Sequence, residues 1–243
     1  MSSRLGRHDP RANYLLAALP GSVLDRLIPQ LEHVRADQGT VFIGADQPVE
    51  RVYFPTSGLF SLIVLNGEGA AVEAAVVGRE GMLGSAAVLG APTSTFQELC
   101  QVDDGLLGLP AASLHHEFAV EPGVRALFLR YVAALLHATA RSVACNRLHV
   151  TEQRLARWLL QVRDRVESDT FFLTQEFLGQ MLGVRRPTVT EAVAALEDAG
   201  LIRHQRGRIR ILDDGALEAA ACEDYVRIRD VYAALADEYR RSD

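Results

Sequence analysis

Lysine is absent from this chain: all 25 basic residues are Arg. A genome-wide base bias alters solvated positions in this way without altering a fold, and that is how the absence is read. Cysteine is scarce. Cys100, Cys145 and Cys222 lie far apart, which excludes CxxC-type metal or redox pairs and argues against a disulfide framework. They read as small buried hydrophobes, with Cys145 and Cys222 the alternative candidates for a redox switch. A reducing cytoplasm is the expected setting. Long apolar runs are also missing. Charge, Gly or Pro interrupts every one within about a dozen residues, short of the ~20 that a membrane span needs. The opening Met1-Ser2-Ser3-Arg4-Leu5-Gly6-Arg7 has no apolar core behind its charges, so no secretory signal is expected there.

What is present is an ordinary globular composition. The 243 residues are 49% apolar and 23% charged, which fits one or two domains. The net charge of −6 is unevenly spread. Residues 1–146 carry −4, residues 147–211 carry +3 and residues 212–243 carry −5. One basic segment inside an acidic protein points to an anionic partner for that segment.

The periodicity changes along the chain. Residues 12–36 read as a helical lead-in, with Leu15, Leu16, Leu19, Leu24, Leu27, Ile28 and Leu31 at helical spacing and Ser22 a cap after Pro20-Gly21. From 34 to 110, short strand-like runs (Thr40–Ile43, Arg51–Phe54, Phe60–Leu65, Ala70–Val77, Thr95–Val102, Leu106–Leu109) alternate with turn signals, among them Asn66-Gly67-Glu68-Gly69 and Asp103-Asp104-Gly105. This pattern predicts an antiparallel roll or barrel with a hairpin at Asn66-Gly67. A cupin-like enzyme on such a roll needs converging His or Glu ligands, and residues 40–110 contain no His. No enzyme activity, catalytic residue, metal ligand or cofactor is therefore expected. Adjacent His115 and His116 point in different directions on a helix and read as its exposed start.

Pro122 opens a helix predicted to run to about Arg147 with no Gly or Pro beyond its first turn. Its apolar stripe keeps close to a 3.5-residue period, the signature of a dimerisation helix. Phe128, Tyr131, Val132, Leu135, Leu136, Thr139 and Val143 are the candidate interface residues. Residues 148–211 read as a small α+β unit, with Thr151 capping a helix to about Val166. A final acidic amphipathic helix is predicted over 216–239.

The sharpest motif is Thr174 to Gly200, TQEFLGQMLGVRRPTVTEAVAALEDAG. Thr174 caps a short helix, Gly183-Val184 makes the turn, Pro187 sits in the first turn of a second helix, and Gly200 stops it. This is helix-turn-helix spacing. Val189, Val193 and Leu196 face Phe177, Leu178 and Met181, which leaves Arg185, Arg186, Thr188, Thr190 and Glu191 near the exposed start of the second helix. Arg reads guanine, Thr meets phosphate or a thymine methyl, and Glu accepts from cytosine. Thr174 and Gln175, at the start of the first helix, join the candidate DNA-binding set. A hairpin follows with Arg203, Arg206, Arg208 and Arg210 around a Gly turn, suited to lie on backbone phosphates as a wing.

With these motifs, residues 20–212 resemble the cAMP receptor protein/fumarate-nitrate-reductase-regulator (Crp/Fnr) superfamily of bacterial transcription factors. The matching stretches are Gly39-Thr40-Val41-Phe42, Val52-Tyr53-Phe54 with Ser57-Gly58, Gly78–Gly84 and the block from Leu173 to Ile202. The resemblance implies an α+β chain with an N-terminal cyclic-nucleotide-binding-like β-roll, a long dimerisation helix and a C-terminal winged helix-turn-helix. The corresponding domains are 1–115, 116–147 and 148–243. It implies a homodimer on a pseudo-palindromic double-stranded DNA operator, with RNA polymerase a candidate partner and no membrane contact. The alternative is a second-messenger or small-molecule sensor with a non-cAMP ligand and vestigial DNA binding.

The ligand motifs depart from the family. Its cyclic-nucleotide binders carry a Gly-Glu-Leu turn whose Glu holds the ribose, then an Arg-Ser or Arg-Thr for the phosphate. Here the turn reads Gly81-Met82-Leu83-Gly84, and Ala91-Pro92-Thr93-Ser94-Thr95 has no Arg. A thioether does not replace a carboxylate, nor a hydroxyl a guanidinium. The candidate effector residues are Gly81, Met82, Leu83, Gly84, Ser85, Ser94 and Thr95, with the amides of Gly81, Gly84 and Ser85 a candidate anion cradle for an unidentified effector. The iron–sulfur Cys cluster of the family's oxygen sensors has no counterpart. In the recognition helix Glu191 stands where well-known members carry Arg and Pro187 where they carry Glu, while Arg186 retains a base-reading position. A different operator is expected.

Overall fold

The computed structural model describes residues 9–67, 71–102 and 104–241. Two short helices, α1 (Tyr14–Ala17) and α2 (Gly21–Leu27), lead in. Asn13 caps α1, its Oδ1 accepting from the amides of Leu15 and Leu16. At α2 the capping residue is Pro20 and Ser22 makes no cap. The helical lead-in ends at Gln30, earlier than expected: Glu32–Ala36 is a strand, β1, because it pairs antiparallel with a distant strand over 104–108. Sequence spacing alone carries no sign of that partner.

The roll follows with β2 (Val41–Ile43), β3 (Arg51–Pro55), β4 (Leu59–Leu65), β5 (Ala71–Val77), the short helix α3 (Ser85–Val88), β6 (Gln97–Val102) and β7 (Asp104–Pro110). These form two antiparallel sheets, β1-β7-β3 and β2-β6-β4-β5. The β4–β5 ladder pairs as far as Leu65↔Ala71, the two strands expected to flank the hairpin at Asn66-Gly67. Residues 68–70, like Asp103 and residues 1–8, lie outside the described residues.

From the roll, α4 (Ala111–Val120) delivers the chain to α5 (Pro122–Leu148), the long helix expected. α6 (Thr151–Val166) begins on Val150, with Thr151 already helical and not a side-chain cap. A strand the sequence did not announce, β8 (Thr170–Phe172), precedes α7 (Gln175–Leu182) and α8 (Arg186–Asp198). The strands β9 (Ile202–Gln205) and β10 (Arg208–Ile211) form the hairpin, and β8 joins it in the order β8-β10-β9. The predicted last helix is two, α9 (Asp214–Ala220) and α10 (Asp224–Arg241), broken over 221–223. Asp213 caps α9.

Two apolar cores result. The first fills the roll and takes in α5 and α10, with Phe54, Phe60, Phe128, Tyr131, Ile228 and Tyr232 among its members. The second centres on Trp158 and holds α6, α7, α8 and the hairpin, but it also draws in Leu59, Ile63 and Val76 from the roll. Polar groups tie the two units as well. The Trp158 indole donates to Glu73 Oε1 at 2.8 Å, and Arg165 bridges Glu80 at 2.7 Å. Burial pushes the Glu73 carboxyl up to about 7, against the hydrogen bonds from Ser61 and Trp158 and the charges of Arg157 and Arg165.

Candidate nucleic-acid interface and effector chamber

The local chemistry of residues 174–211 builds a face. Thr174 Oγ1 accepts from the Phe177 amide and so starts α7. Gly183 ends it in the left-handed conformation, φ +61°, which few residues other than Gly adopt without strain. Pro187 lies in the first turn of α8, where its missing N–H costs nothing. Val189, Ala192, Val193 and Leu196 are buried with Leu178 and Met181, as the helical spacing predicts. The opposite side of α8 is consequently free: Arg185, Arg186, Thr190 and Glu191 are exposed and Thr188 is half-buried. Thr190 Oγ1 donates to Gln175 Oε1 at 3.0 Å, which links the start of α7 to the exposed side of α8. Neither Arg185 nor Arg186 forms an ion pair with an acidic side chain among the described residues.

The hairpin is oriented by strand alternation. In β10, Ile209 and Ile211 are buried, so Arg208 and Arg210 point out. Arg203 lies opposite Arg210 and is exposed, and Arg206 sits at the turn with Gly207. The fold therefore brings two sets of guanidinium groups, on the start of α8 and on the wing, onto one small unit. Among the described residues it leaves them to solvent.

The roll interior is the reverse case. Gly81, Met82, Leu83, Gly84 and Ser94 are buried, Ser85 is half-buried and Thr95 is exposed. Tyr131 of α5 reaches in, accepting from the Met82 amide at 3.1 Å and donating to the Met82 carbonyl at 3.0 Å. A Cβ on residue 81 would lie 2.6 Å from that hydroxyl, so Gly is needed for the approach. Two of the three amides expected in the anion cradle are already engaged. The Gly81 amide donates to the Gly78 carbonyl, and the Gly84 amide donates to Glu98 Oε2 at 2.9 Å. The Ser94 hydroxyl donates to Glu98 Oε1 at 3.0 Å. A carboxyl from β6 thus holds the Gly84 amide and the Ser94 hydroxyl, two of the groups proposed to receive an anionic effector. Sequence spacing did not single out Glu98, because its role depends on which strand faces the Gly84 turn. Burial pushes the Glu98 carboxyl up to about 7, opposed by its bonds from Gly84 and Ser94.

The candidate interface residues of α5 divide into two groups. Phe128, Tyr131 and Leu135 are at most 6% exposed and belong to the chain's own first core, so they are not available to a partner. They are covered by the roll and by α10, whose return onto α5 the sequence did not reveal. Val132 and Thr139 are half-buried, and Leu136 is 68% and Val143 64% exposed. With Leu129 at 47%, they make an outward apolar row at seven-residue spacing. His115 and His116 are exposed on α4.

Two of the three cysteines meet. Cys145 on α5 and Cys222 before α10 place their sulfurs 3.2 Å apart, beside His149 and Asp224. The hydrogen bond from Cys222, with Arg157 alongside, holds the Cys145 thiol below its ordinary range. The only sequence signal was the Cys-x3-His spacing at the end of the long helix.

Comparison with known proteins agrees with this geometry. Residues 153–220 match the Crp-like helix-turn-helix domain family. A "CRP-like cAMP-activated global transcriptional regulator" of Mycobacterium tuberculosis is 25% identical over 209 residues, covering 82% of this chain and 92% of that protein. The "Transcriptional regulatory protein btr" of Bordetella pertussis is 25% identical over 203 residues, covering 78% and 80%. The fold is shared with a CRP/FNR-family transcriptional regulator from Thermus thermophilus, with a TM-score of 0.65, 23% identity and coverage of 78% and 98%. No helix among the described residues is long and apolar enough to cross a membrane.

Proposed function

We propose that this chain, which belongs to the Crp/Fnr superfamily of transcriptional regulators, works as a homodimer that reads a pseudo-palindromic DNA operator without cAMP. The observation that carries the reading is the exposed start of α8 beside the outward Arg row of the hairpin. Arg185, Arg186, Thr188, Thr190 and Glu191 are the proposed base-reading set; Thr174 and Gln175 brace it. Arg203, Arg206 and Arg208 are the proposed phosphate contacts. A helix N-terminus entering the major groove presents donors and acceptors to base edges, and the flanking guanidiniums fix register on the backbone.

Dimerisation is assigned to α5 through Leu129, Val132, Leu136, Thr139 and Val143, the face the chain leaves uncovered. The proposed division keeps the effector unit at 1–115, the dimer helix at 116–147 and the DNA-binding unit at 148–243. In the effector unit, the Glu98 carboxyl occupies the Gly84 amide and Ser94 hydroxyl. A cyclic phosphate entering there would meet a carboxyl and no guanidinium, which opposes its binding.

Selection of bound genomic fragments followed by footprinting tests the main reading. Two protected half-sites about one helical turn apart are expected. Binding with no sequence preference at any salt concentration would overturn it and favour the vestigial alternative. Calorimetry with cAMP and cGMP tests the effector reading: no saturable heat is expected, and micromolar affinity would refute it.

A further inference from the structure

The long helix ends on a cluster that DNA reading does not use. Cys145 and His149 stand one turn apart at the C-terminal end of α5. Cys222 and Asp224 flank the start of α10. One donor atom from each, two sulfurs, an imidazole nitrogen and a carboxylate oxygen, lies within 4.8 Å of all the others. Both cysteines and Asp224 are buried, at 0%, 3% and 1% exposure. We propose that Cys145, His149, Cys222 and Asp224 form a tetrahedral metal site, suited to Zn2+, that fastens the end of the dimerisation helix to the C-terminal helix.

The donor set fits that ion. Two thiolates with an imidazole and one carboxylate match the borderline-soft preference of Zn2+. Bonds of ~2.3 Å to sulfur and ~2.0–2.1 Å to nitrogen or oxygen put the donors of a tetrahedron roughly 3.3–3.8 Å apart. The sulfurs, 3.2 Å apart, would open by about 0.6 Å to span their edge of the tetrahedron, and His149 Nδ1 with Asp224 Oδ2, 3.6 Å apart, would close by about 0.3 Å, both within the reach of side-chain rotation. The sulfur separation is far above the ~2.05 Å of a disulfide.

The surroundings also fit. His149 Nδ1 is buried and makes no hydrogen bond, while its Nε2 lies 3.2 Å from Glu223 Oε2. A ligating imidazole is oriented in this way, with one nitrogen free for the metal and the other held by a carboxylate. Arg141 approaches the other oxygen of Asp224 at 3.5 Å, leaving Oδ2 toward the cluster. Zn2+ with two thiolates, one carboxylate and a neutral imidazole carries a net single negative charge. Arg141 and Arg157 offset it. Position gives the site a consequence. His149 opens the two-residue link from α5 to α6, so metal there fixes the angle at which the DNA-binding unit leaves the dimer helix.

The test uses the full chain, reduced, stripped with a chelator and titrated with Zn2+ and with Co2+. One equivalent per chain is expected. The Co2+ form should show the intense visible bands of a tetrahedral ion and near-ultraviolet thiolate charge transfer. Cys222→Ser should remove about half of that charge transfer and weaken binding at least ~10-fold, and Glu223→Gln should weaken it ~10-fold with the spectrum retained. Chelation should speed amide exchange in α10. If Cys145→Ser loses its circular-dichroism spectrum, Cys222→Ser and His149→Asn carry the comparison. The proposal falls if the reduced chain takes up no stoichiometric metal or if Cys222→Ser binds as tightly as the parent. It also falls if the two thiols are recovered as a disulfide and the reduced form stays metal-free.

Discussion

The face over 174–211 and the interior over 81–98 are both built from Gly turns and polar side chains, yet they end in opposite states. On the face, burial of Val189, Val193, Ile209 and Ile211 forces Arg186, Arg208 and Arg210 outward, and these take no acidic partner among the described residues. In the interior, Gly84, Ser94, Met82 and Tyr131 spend their donors and acceptors on one another and on Glu98. A polar group left idle in a folded chain has capacity for a partner, whereas a satisfied one does not. The same contrast falls between adjacent residues on α5. Leu135 is enclosed at 6% exposure and Leu136 stands out at 68%.

The largest break in this comparison is expected at that pair. Leu136→Glu should leave the chain folded but monomeric in sedimentation. Specific DNA affinity should drop by about 10²–10⁴, since the two half-sites are then no longer bound intramolecularly. Leu135→Glu should act on the fold instead, lowering stability by several kcal/mol (about the cost of a Leu lost from a core, or more) in denaturant titration. A Leu136→Glu protein that remains dimeric would place the seam elsewhere.

A second contrast separates reading from holding. Arg186→Ala should cost about 1–3 kcal/mol per half-site and relax preference at one symmetric base pair. Fluorescence titration against specific and scrambled duplexes measures it. Arg208→Ala should weaken both duplexes alike and lower the salt slope by about one per subunit. Unchanged discrimination by Arg186→Ala would make Arg185 the reader.

A third contrast, read only through pH, lies inside the roll. The folded-state pKa of Glu98, raised to about 7 from the usual 4.5, means the folded chain binds more protons than the unfolded chain between those values. That stability is present below about pH 4.5 and lost as pH rises through 7. Glu98→Gln removes the dependence, so its melting temperature should gain on the parent from pH 5 to pH 8, by at most about 3 kcal/mol in free energy. A pH-independent difference would show that the carboxyl is not desolvated as the fold implies.

Much of the molecule is legible in the sequence because its signals are local. Thr174, Gly183, Pro187 and Gly200 set the ends of α7 and α8 through their own backbone preferences, so the helix-turn-helix and its exposed Arg residues followed from spacing. The alternation of Arg with Ile in 208–211 fixed the wing in the same way. That residues 91–95 contain no Arg is read directly from the sequence. Where spacing failed, a distant partner had decided. β1 is a strand because β7 offers it a ladder, and Phe128, Tyr131 and Leu135 are interior because α10 and the roll cover α5. Glu98 meets Gly84, and Cys222 meets Cys145 across 77 residues, only once sheets and helices have packed. Local backbone and side-chain preference determined which elements form and which of their faces are polar. Long-range packing determined which of those faces are consumed, since burial and hydrogen bonding depend on neighbours the local pattern does not name.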